Sequence, residues 1–183
     1  MRNENMMFET ERLLIRNFVP EDAASCMESW GRDVNLGRYI LSYPMKDPEQ
    51  MKSFAEFMSK QRNAWLLMEK KSRDAVGYVT VDIPYEILKI GEVGYVIGEK
   101  YQGNGYAAEA LRFLLHMYFT ERDLYLVEAR YNASNIASSK VLDRLGFRKK
   151  AVLRGRRMDG ITMERNDMVV CSLTKEEFMR ENA

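Results

Sequence analysis

Gly94-Tyr95-Val96-Ile97-Gly98-Glu99-Lys100-Tyr101-Gln102-Gly103-Asn104-Gly105-Tyr106-Ala107 is the stretch that decides how this 183-residue chain is read. Its opening residues complete a strand expected over residues 92–97. Its closing residues open a long amphipathic helix over about residues 107–119, with Leu111, Leu114, Leu115 and Tyr118 on one face. The first turn of a helix carries backbone N–H groups without intrahelical partners, and the dipole adds positive potential there. Gly103 and Gly105 let an anionic group approach that backbone, and Ala107 keeps the next position small. Two readings follow, a diphosphate-bearing ligand seated on the helix or an ordinary tight turn. A Walker loop is excluded because no Gly-Lys-Ser/Thr follows. A dinucleotide fingerprint fits poorly, since the third small residue comes too early and two helices precede the strand.

Upstream of this stretch, residues 12–16 read as a first strand that ends near Pro20. Pro20-Glu21-Asp22 opens a helix with proline in its first turn and acids at the positive end of the dipole, and Gly31 closes it. A second helix starts at Asp47-Pro48-Glu49, with Met51, Phe54, Phe57 and Met58 at helical spacing. Residues 65–69 and 76–81, around a polar cluster at 70–74, predict a hairpin. Downstream, residues 124–131 predict a strand and 134–145 a helix closed by Gly146-Phe147. Strands are expected near 150–153 and 168–173, and a short helix or tail at 175–180. The order β-α-α-β-β-β-α-β-α-β-β implies an α/β (α+β) fold with a mixed sheet and helices on both faces. No repeat or Pro/Gly/Ser linker divides the chain, so one domain over residues 1–183 is expected.

Composition narrows the function classes. Twenty-eight Lys and Arg against 27 Asp and Glu give a formal charge of +1, which supplies no global field for capturing nucleic acid. No apolar run is long enough for a membrane span, and the opening MRNENMMFETER lacks the apolar stretch of a secretory signal. Cys26 and Cys171 lie far apart, so neither a disulfide framework nor a cysteine metal site is expected. A cytoplasmic protein with no metal, no nucleic-acid partner and no membrane partner is expected. A homodimer is a reasonable prior for a small enzyme.

Gln102-Gly103-Asn104-Gly105-Tyr106-Ala107 is similar to the Q/R-x-x-G-x-G/A acetyl-coenzyme A signature of the GCN5-related N-acetyltransferases (GNAT). Thr10-Glu11-Arg12-Leu13 with Ile15-Arg16 resembles that family's T-E-R-L-x-I-R opening. Asn135-Ile136-Ala137-Ser138-Ser139-Lys140-Val141-Leu142, running to Leu145-Gly146-Phe147, resembles its N-x-x-S-x-x-V-L…L-G-F segment. Asp167 with Val169, Val170 and Leu173 resembles its closing strand. The likeness spans roughly residues 8–178 and is nearest to the RimJ/RimL-type (ribosomal-protein alanine N-acetyltransferase) branch. It implies the GNAT fold, a mostly antiparallel mixed sheet of about seven strands splayed at a bulge in the cofactor strand. It also implies acetyl-CoA as cosubstrate and a primary amine as acceptor. The leading acceptor is the N-terminal α-amine of a protein or peptide. The alternatives are a small-molecule amine or a non-catalytic acyl-CoA-binding module. By the same resemblance Tyr95, Val96 and Ile97 would pair with the pantetheine arm, amides from Gln102 to Ala107 would seat the pyrophosphate, and Asn135 would hydrogen-bond the arm.

Direct transfer needs a neutral amine and a proton for the departing thiolate. An α-amine has a reference pKa of about 7.7–8.0 against about 10.4 for lysine, so a carboxylate acting through a water is sufficient. Glu92 is the candidate base, since period two puts it on the face of Gly94 and Val96; a structural salt bridge is its other reading, and Glu128 is a rival. Relatives with a tyrosine acid carry it seven residues after the asparagine, where this chain has Leu142. Ser138 matches the branch's serine and is the candidate donor to the leaving sulfur, against a capping role on its helix. Tyr131 and Tyr106 are further donors. The run Arg148-Lys149-Lys150 with Arg154, Arg156 and Arg157 is either a solvated hairpin or an attractor for an acidic substrate or the cofactor's phosphate. His116 falls on the solvated side of its helix. Trp30, Tyr39, Phe54 and Trp65 are core residues or line an acceptor groove.

Overall fold

A computed structural model describes residues 6–181; the outermost residues of the expected 1–183 domain, including the first five of the opening run, lie outside the described residues. The strands are β1 (Met7–Glu9), β2 (Leu13–Asn17), β3 (Ala64–Glu69), β4 (Ala75–Asp82), β5 (Ile90–Ile97), β6 (Leu126–Asn132), β7 (Arg148–Met158) and β8 (Arg165–Thr174). The helices are α1 (Ala23–Cys26), α2 (Pro48–Ser59), α3 (Tyr106–Thr120), α4 (Ile136–Arg144) and α5 (Lys175–Glu181). The eight strands form one sheet in the order β1-β2-β3-β4-β5-β6-β8-β7. One strand more than expected is present because β1, three residues long, pairs with β2. Every pairing is antiparallel except β5 with β6. The helix expected from Pro20 is a composite, with a 3-10 turn at Pro20–Asp22, α1, and a π turn at Met27–Gly31.

Period-two alternation sorts the strand side chains into two layers. Trp65, Leu67, Val79, Val93 and Ile97 join the core beneath α3 and α5. Leu66, Ala75 and Val96 join the core beneath α1 and α2. Trp30, Phe54 and Trp65 take the core reading, with Trp30 and Trp65 each 1% exposed and Phe54 packed against Trp30 and Tyr78. α2 begins where Asp47 Oδ1 accepts the Gln50 N–H at 2.8 Å, and α4 where Asn135 Oδ1 accepts the Ser138 N–H at 3.0 Å. Both are side-chain caps on orphan donors.

The sheet parts at its centre. β5 pairs with β6 only from Ile90↔Leu126 to Val93↔Ala129, while Arg130, Tyr131 and Asn132 continue against β8. From Gly94 onward β5 has β4 alone beside it. The register of β4 on β5 runs unbroken from Asp82↔Glu92 to Gly77↔Ile97. The expected bulge is therefore absent from that ladder, and the splay arises because β6 leaves to follow β8. Gly98 N–H donates to Val76 C=O at 3.0 Å. The alternation of an antiparallel ladder then turns the peptide groups of Gly94 and Val96 toward β4 and those of Tyr95 and Ile97 into the gap.

Close approach at Gly77 holds β5 in this position. A Cβ there would lie 2.0 Å from Val96 O and 3.0 Å from Ile97 Cα. Gly77→Ala is expected to lower stability by about 2 kcal/mol, because backbone atoms must shift to admit the methyl group. Urea denaturation measures this, and a change below about 0.5 kcal/mol would show that the contact does not constrain the strand.

Candidate active site

The loop between β5 and α3 is shaped by two left-handed glycines, Gly103 (φ 78°) and Gly105 (φ 81°). Open space surrounds Gly103, so conformation and not crowding requires glycine there. Among the described residues, no backbone N–H from 103 to 108 has an acceptor, while Glu109 N–H closes the first helical bond on Gly105 C=O at 3.0 Å. Successive amides around left-handed residues form an anion-binding concavity, and the α3 dipole points into it. Gln102 departs from its expected place. Its N–H donates to Glu99 C=O at 3.1 Å and its Nε2 to Ile97 C=O at 2.9 Å, so it braces the loop and offers no free amide. The Asn104 side chain also turns back, donating to Tyr101 C=O at 3.0 Å.

A cavity of about 730 Å³ runs from this loop to the strand gap, passing Gln102, Gly103, Gly105, Tyr106, Ala107 and Asn135. A second cavity of about 560 Å³ lies across the gap, with Glu92 and Arg130 in its walls. The two share Tyr39, Ile40, Tyr95, Val96, Asn135 and Ser138, so they meet where β5 and β6 part. At this meeting point the Tyr95 hydroxyl lies 2.8 Å from Ser138 Oγ. Burial pushes the Tyr95 phenol up to about 12, outweighing the opposing hydrogen bond with Ser138. The phenol therefore stays protonated through the neutral range as a hydrogen-bond donor. Periodicity and motif matching assigned Tyr95 a backbone role only. No sequence signal pairs it with Ser138, 43 residues away. Ser138 supplies the N–H that Asn135 caps, which leaves its hydroxyl to Tyr95.

On the far side, Glu92 lies 3.3 Å from Arg130 Nη2, and both side chains are 40% exposed. Arg130 also reaches Glu128 at 3.3 Å, so both base candidates share one guanidinium. Exposed pairs of this kind hold their partners weakly. The Tyr131 hydroxyl donates to Ser139 at 3.2 Å and Tyr106 to Glu69, which occupies both as donors. Among the described residues no group of three or more His, Cys, Asp or Glu is placed to hold a metal ion. His116 is exposed and Cys171 buried.

A clamp behind the loop went unread in the sequence. Glu109, in the first turn of α3, accepts from Thr10 Oγ1 at 2.6 Å, Arg12 N–H at 2.8 Å and Arg12 Nε at 2.7 Å. Arg12 Nη1 donates to Asn104 C=O at 2.7 Å, and its guanidinium sits 5.0 Å over the Tyr106 ring. The T-E-R-L opening thereby ties the start of β2 to the helix end of the loop, across 97 residues for Arg12 and Glu109. Burial raises the Glu109 carboxyl, but the bonds from Thr10 and Arg12 overcome this and leave it lowered. A carboxylate lowered in the folded state stabilises above its unfolded value and loses that contribution as pH falls through the folded one. Glu109→Gln is expected to cost about 1–2 kcal/mol at pH 7, tempered by the exposure of Arg12. That difference should shrink steadily below about pH 4.5. Denaturation of both proteins between pH 3 and 7, as approximate limits, checks this; a pH-independent difference would remove the charge from the explanation.

Comparison with known proteins joins these features. Residues 12–148 match the Acetyltransferase (GNAT) domain family. The Uncharacterized N-acetyltransferase p20 of Bacillus licheniformis is 28% identical over 150 residues, covering 79% of this chain and 84% of its own. The Uncharacterized N-acetyltransferase YnaD of Bacillus subtilis is 29% identical over 151 residues, covering 81% and 86%. Among solved structures, an acetyltransferase (GNAT family) from Bacillus anthracis superposes with a TM-score of 0.81 at 25% identity, covering 94% of this chain and 100% of that one. The Ribosomal-protein-S5-alanine Acetyltransferase from Vibrio fischeri has the same fold, with a TM-score of 0.81 at 22% identity over 95% of this chain and 99% of that one. A parted central sheet, a glycine-shaped anion loop and a family match over most of its length agree: this chain belongs to the GNAT acetyltransferase family.

Proposed function

We propose that this protein moves the acetyl group of acetyl-CoA directly to a primary amine, the N-terminal α-amine of a protein or peptide. One observation carries the assignment of the donor: the amides from 103 to 108 have no acceptor among the described residues and open on a cavity that leads to the parted strands. A pyrophosphate fits that cradle by charge, and an extended amide-bearing arm fits the exposed edge of β5 as an added strand. We place the protein in the cytoplasm as one domain over residues 1–183. Among the described residues no helix is long and apolar enough to cross a membrane.

When bound, acetyl-CoA supplies an activated acetyl carbon: a C–N bond forms, the C–S bond breaks, and overall one proton leaves nitrogen and one reaches sulfur. The amides of Gly103, Asn104, Gly105, Tyr106 and Ala107 hold the diphosphate, and Gln102 keeps their loop in shape. Tyr95 presents its peptide groups and Ile97 its N–H to the arm, the Ile97 carbonyl being held by Gln102, and Val96 lines its path. A peptide N–H in this gap faces the thioester oxygen and stabilises charge developing on it. Asn135 retains its amide nitrogen for the arm, because only its oxygen is spent as a cap. The Tyr95 hydroxyl and Ser138 Oγ donate to the departing sulfur as a pair. Glu92 accepts the amine's proton, directly or through a water.

Two experiments test this assignment. Asn and Asp both tolerate left-handed backbone, so Gly103→Asn and Gly103→Asp differ chiefly in charge. Calorimetric titration with CoA should find the Asp variant weaker than the Asn variant by at least roughly tenfold. Equal affinities would remove the anion from this loop. Tyr95→Phe and Ser138→Ala should each lower kcat by about tenfold and leave the acetyl-CoA KM within about twofold, with the double variant no worse than either. Multiplicative losses would show that the hydroxyls act separately.

A further inference from the structure

The wall of the second cavity away from α4 is built from arginines. Arg156 and Arg157 of β7, Arg165 of β8 and Arg130 of β6 line it, and Glu92 is the one carboxylate in that lining. Glu92 is already paired with Arg130, while no carboxylate among the described residues pairs with Arg156, Arg157 or Arg165. Arg165 Nη1 is fixed by Gly155 C=O at 3.0 Å, a bond that positions the charge without neutralising it. Two buried donors in the same wall have no acceptor, Arg157 Nε and Asn132 Nδ2. Buried N–H groups without acceptors are costly. Both orphans are donors, and no orphaned acceptor accompanies them in that lining.

The backbone is shaped to bring these arginines in. Pairing of β7 with β8 steps from Leu153↔Met168 to Arg157↔Asn166, a bulge with two extra residues in β7. Gly155 sits in it at φ 59°, and its N–H donates to Asp167 Oδ1 at 2.8 Å. Bulges re-aim the side chains beside them. Arg156 and Arg157, neighbours in sequence, both reach one cavity as a result. The rest of the basic run, Arg148, Lys149, Lys150 and Arg154, lies outside that lining and is exposed, as Arg156 also is.

We propose that the acceptor carries a carboxylate close to its reacting amine, and that Arg156, Arg157 and Arg165 receive it. This rests on the acetyltransferase reading and names the substrate class for that site. Guanidinium groups grip a carboxylate in a fixed, often bidentate geometry, which holds the amine in register with the strand gap. The carboxylate has two sources, the amine's own α-carboxylate in a free amino acid or an acidic side chain next to a peptide's N-terminus. A polyamine would meet the arginines as a like charge and is excluded by the same field.

Two matched pairs of acceptors test the proposal with the intact protein: alanine against alaninamide, and an Ala-Glu peptide amide against its Ala-Gln counterpart. In at least one pair the acid should exceed the amide by about tenfold or more in kcat/KM, and the pair that discriminates identifies the source. Arg157→Gln and the more exposed Arg156→Gln should each reduce that preference to below about threefold, with CoA affinity unchanged, and Arg157→Lys should restore it only in part. Calorimetric titration of the same four compounds into CoA-saturated protein reads the carboxylate site without turnover. An acid preference there with no acetyl transfer would support the anion site while overturning the acetyltransferase reading. Acid and amide equal within about twofold in both assays, or a preference that survives both Gln substitutions, would overturn the proposal even where acetyl transfer is normal.

Discussion

The first turn of α3 cannot satisfy its own N–H groups, and the surrounding fold leaves them open. The starts of α2 and α4 are closed by side chains, Asp47 and Asn135. At α3 the N-cap is Gly105, which has no side chain to give and a backbone in the left-handed region. Neighbouring groups fix the loop from outside its concave face: Arg12 on the Asn104 carbonyl, Gln102 on the Ile97 carbonyl, and Glu109 under Thr10 and Arg12. The result is a braced set of donors with positive dipole potential and no internal acceptor among the described residues. Such a site is preorganised for an anion, so binding need not order the loop first.

The parting of β5 from β6 gives that anion site its direction. Had β6 continued beside β5, the peptide groups of Tyr95 and Ile97 would be consumed in a ladder. β6 instead follows β8 from Arg130 to Asn132, and the first turn of α4 occupies the opened side, with Ser138 against Tyr95. One face of the gap looks to the glycine loop and the other to the arginine wall. On the proposed function, donor and acceptor would approach from opposite sides and meet at Tyr95, Val96 and Ser138, the positioning that transfer between two substrates requires.

The parts of this arrangement that were legible in the sequence are those written in local patterns. α3 announces itself by apolar spacing and by the glycines before it, and α4 by the Gly146-Phe147 that closes it. Elements held by distant partners were not legible. β1 is too short for periodicity to register and exists because β2 offers an edge. The Glu109 clamp joins residues 97 apart, and an acid in a first helical turn looks like ordinary dipole complementation. Gln102 occupies its motif position for a reason spacing does not reveal, since its amide faces Glu99 and its side chain faces Ile97. The basic run reads as uniform charge; past a bulge with Gly155 in it, Arg156 and Arg157 join the cavity lining and the earlier members do not.

The claim beneath all of this is that the amides at residues 103–108 are a ligand's seat and not a solvated turn. Hydrogen exchange, read residue by residue with and without CoA, tests it most directly. In the free protein these amides should exchange quickly, and saturating CoA should slow them by at least about tenfold, together with Tyr95 and Ile97. CoA that binds and protects other segments while residues 103–108 exchange as before would contradict the account.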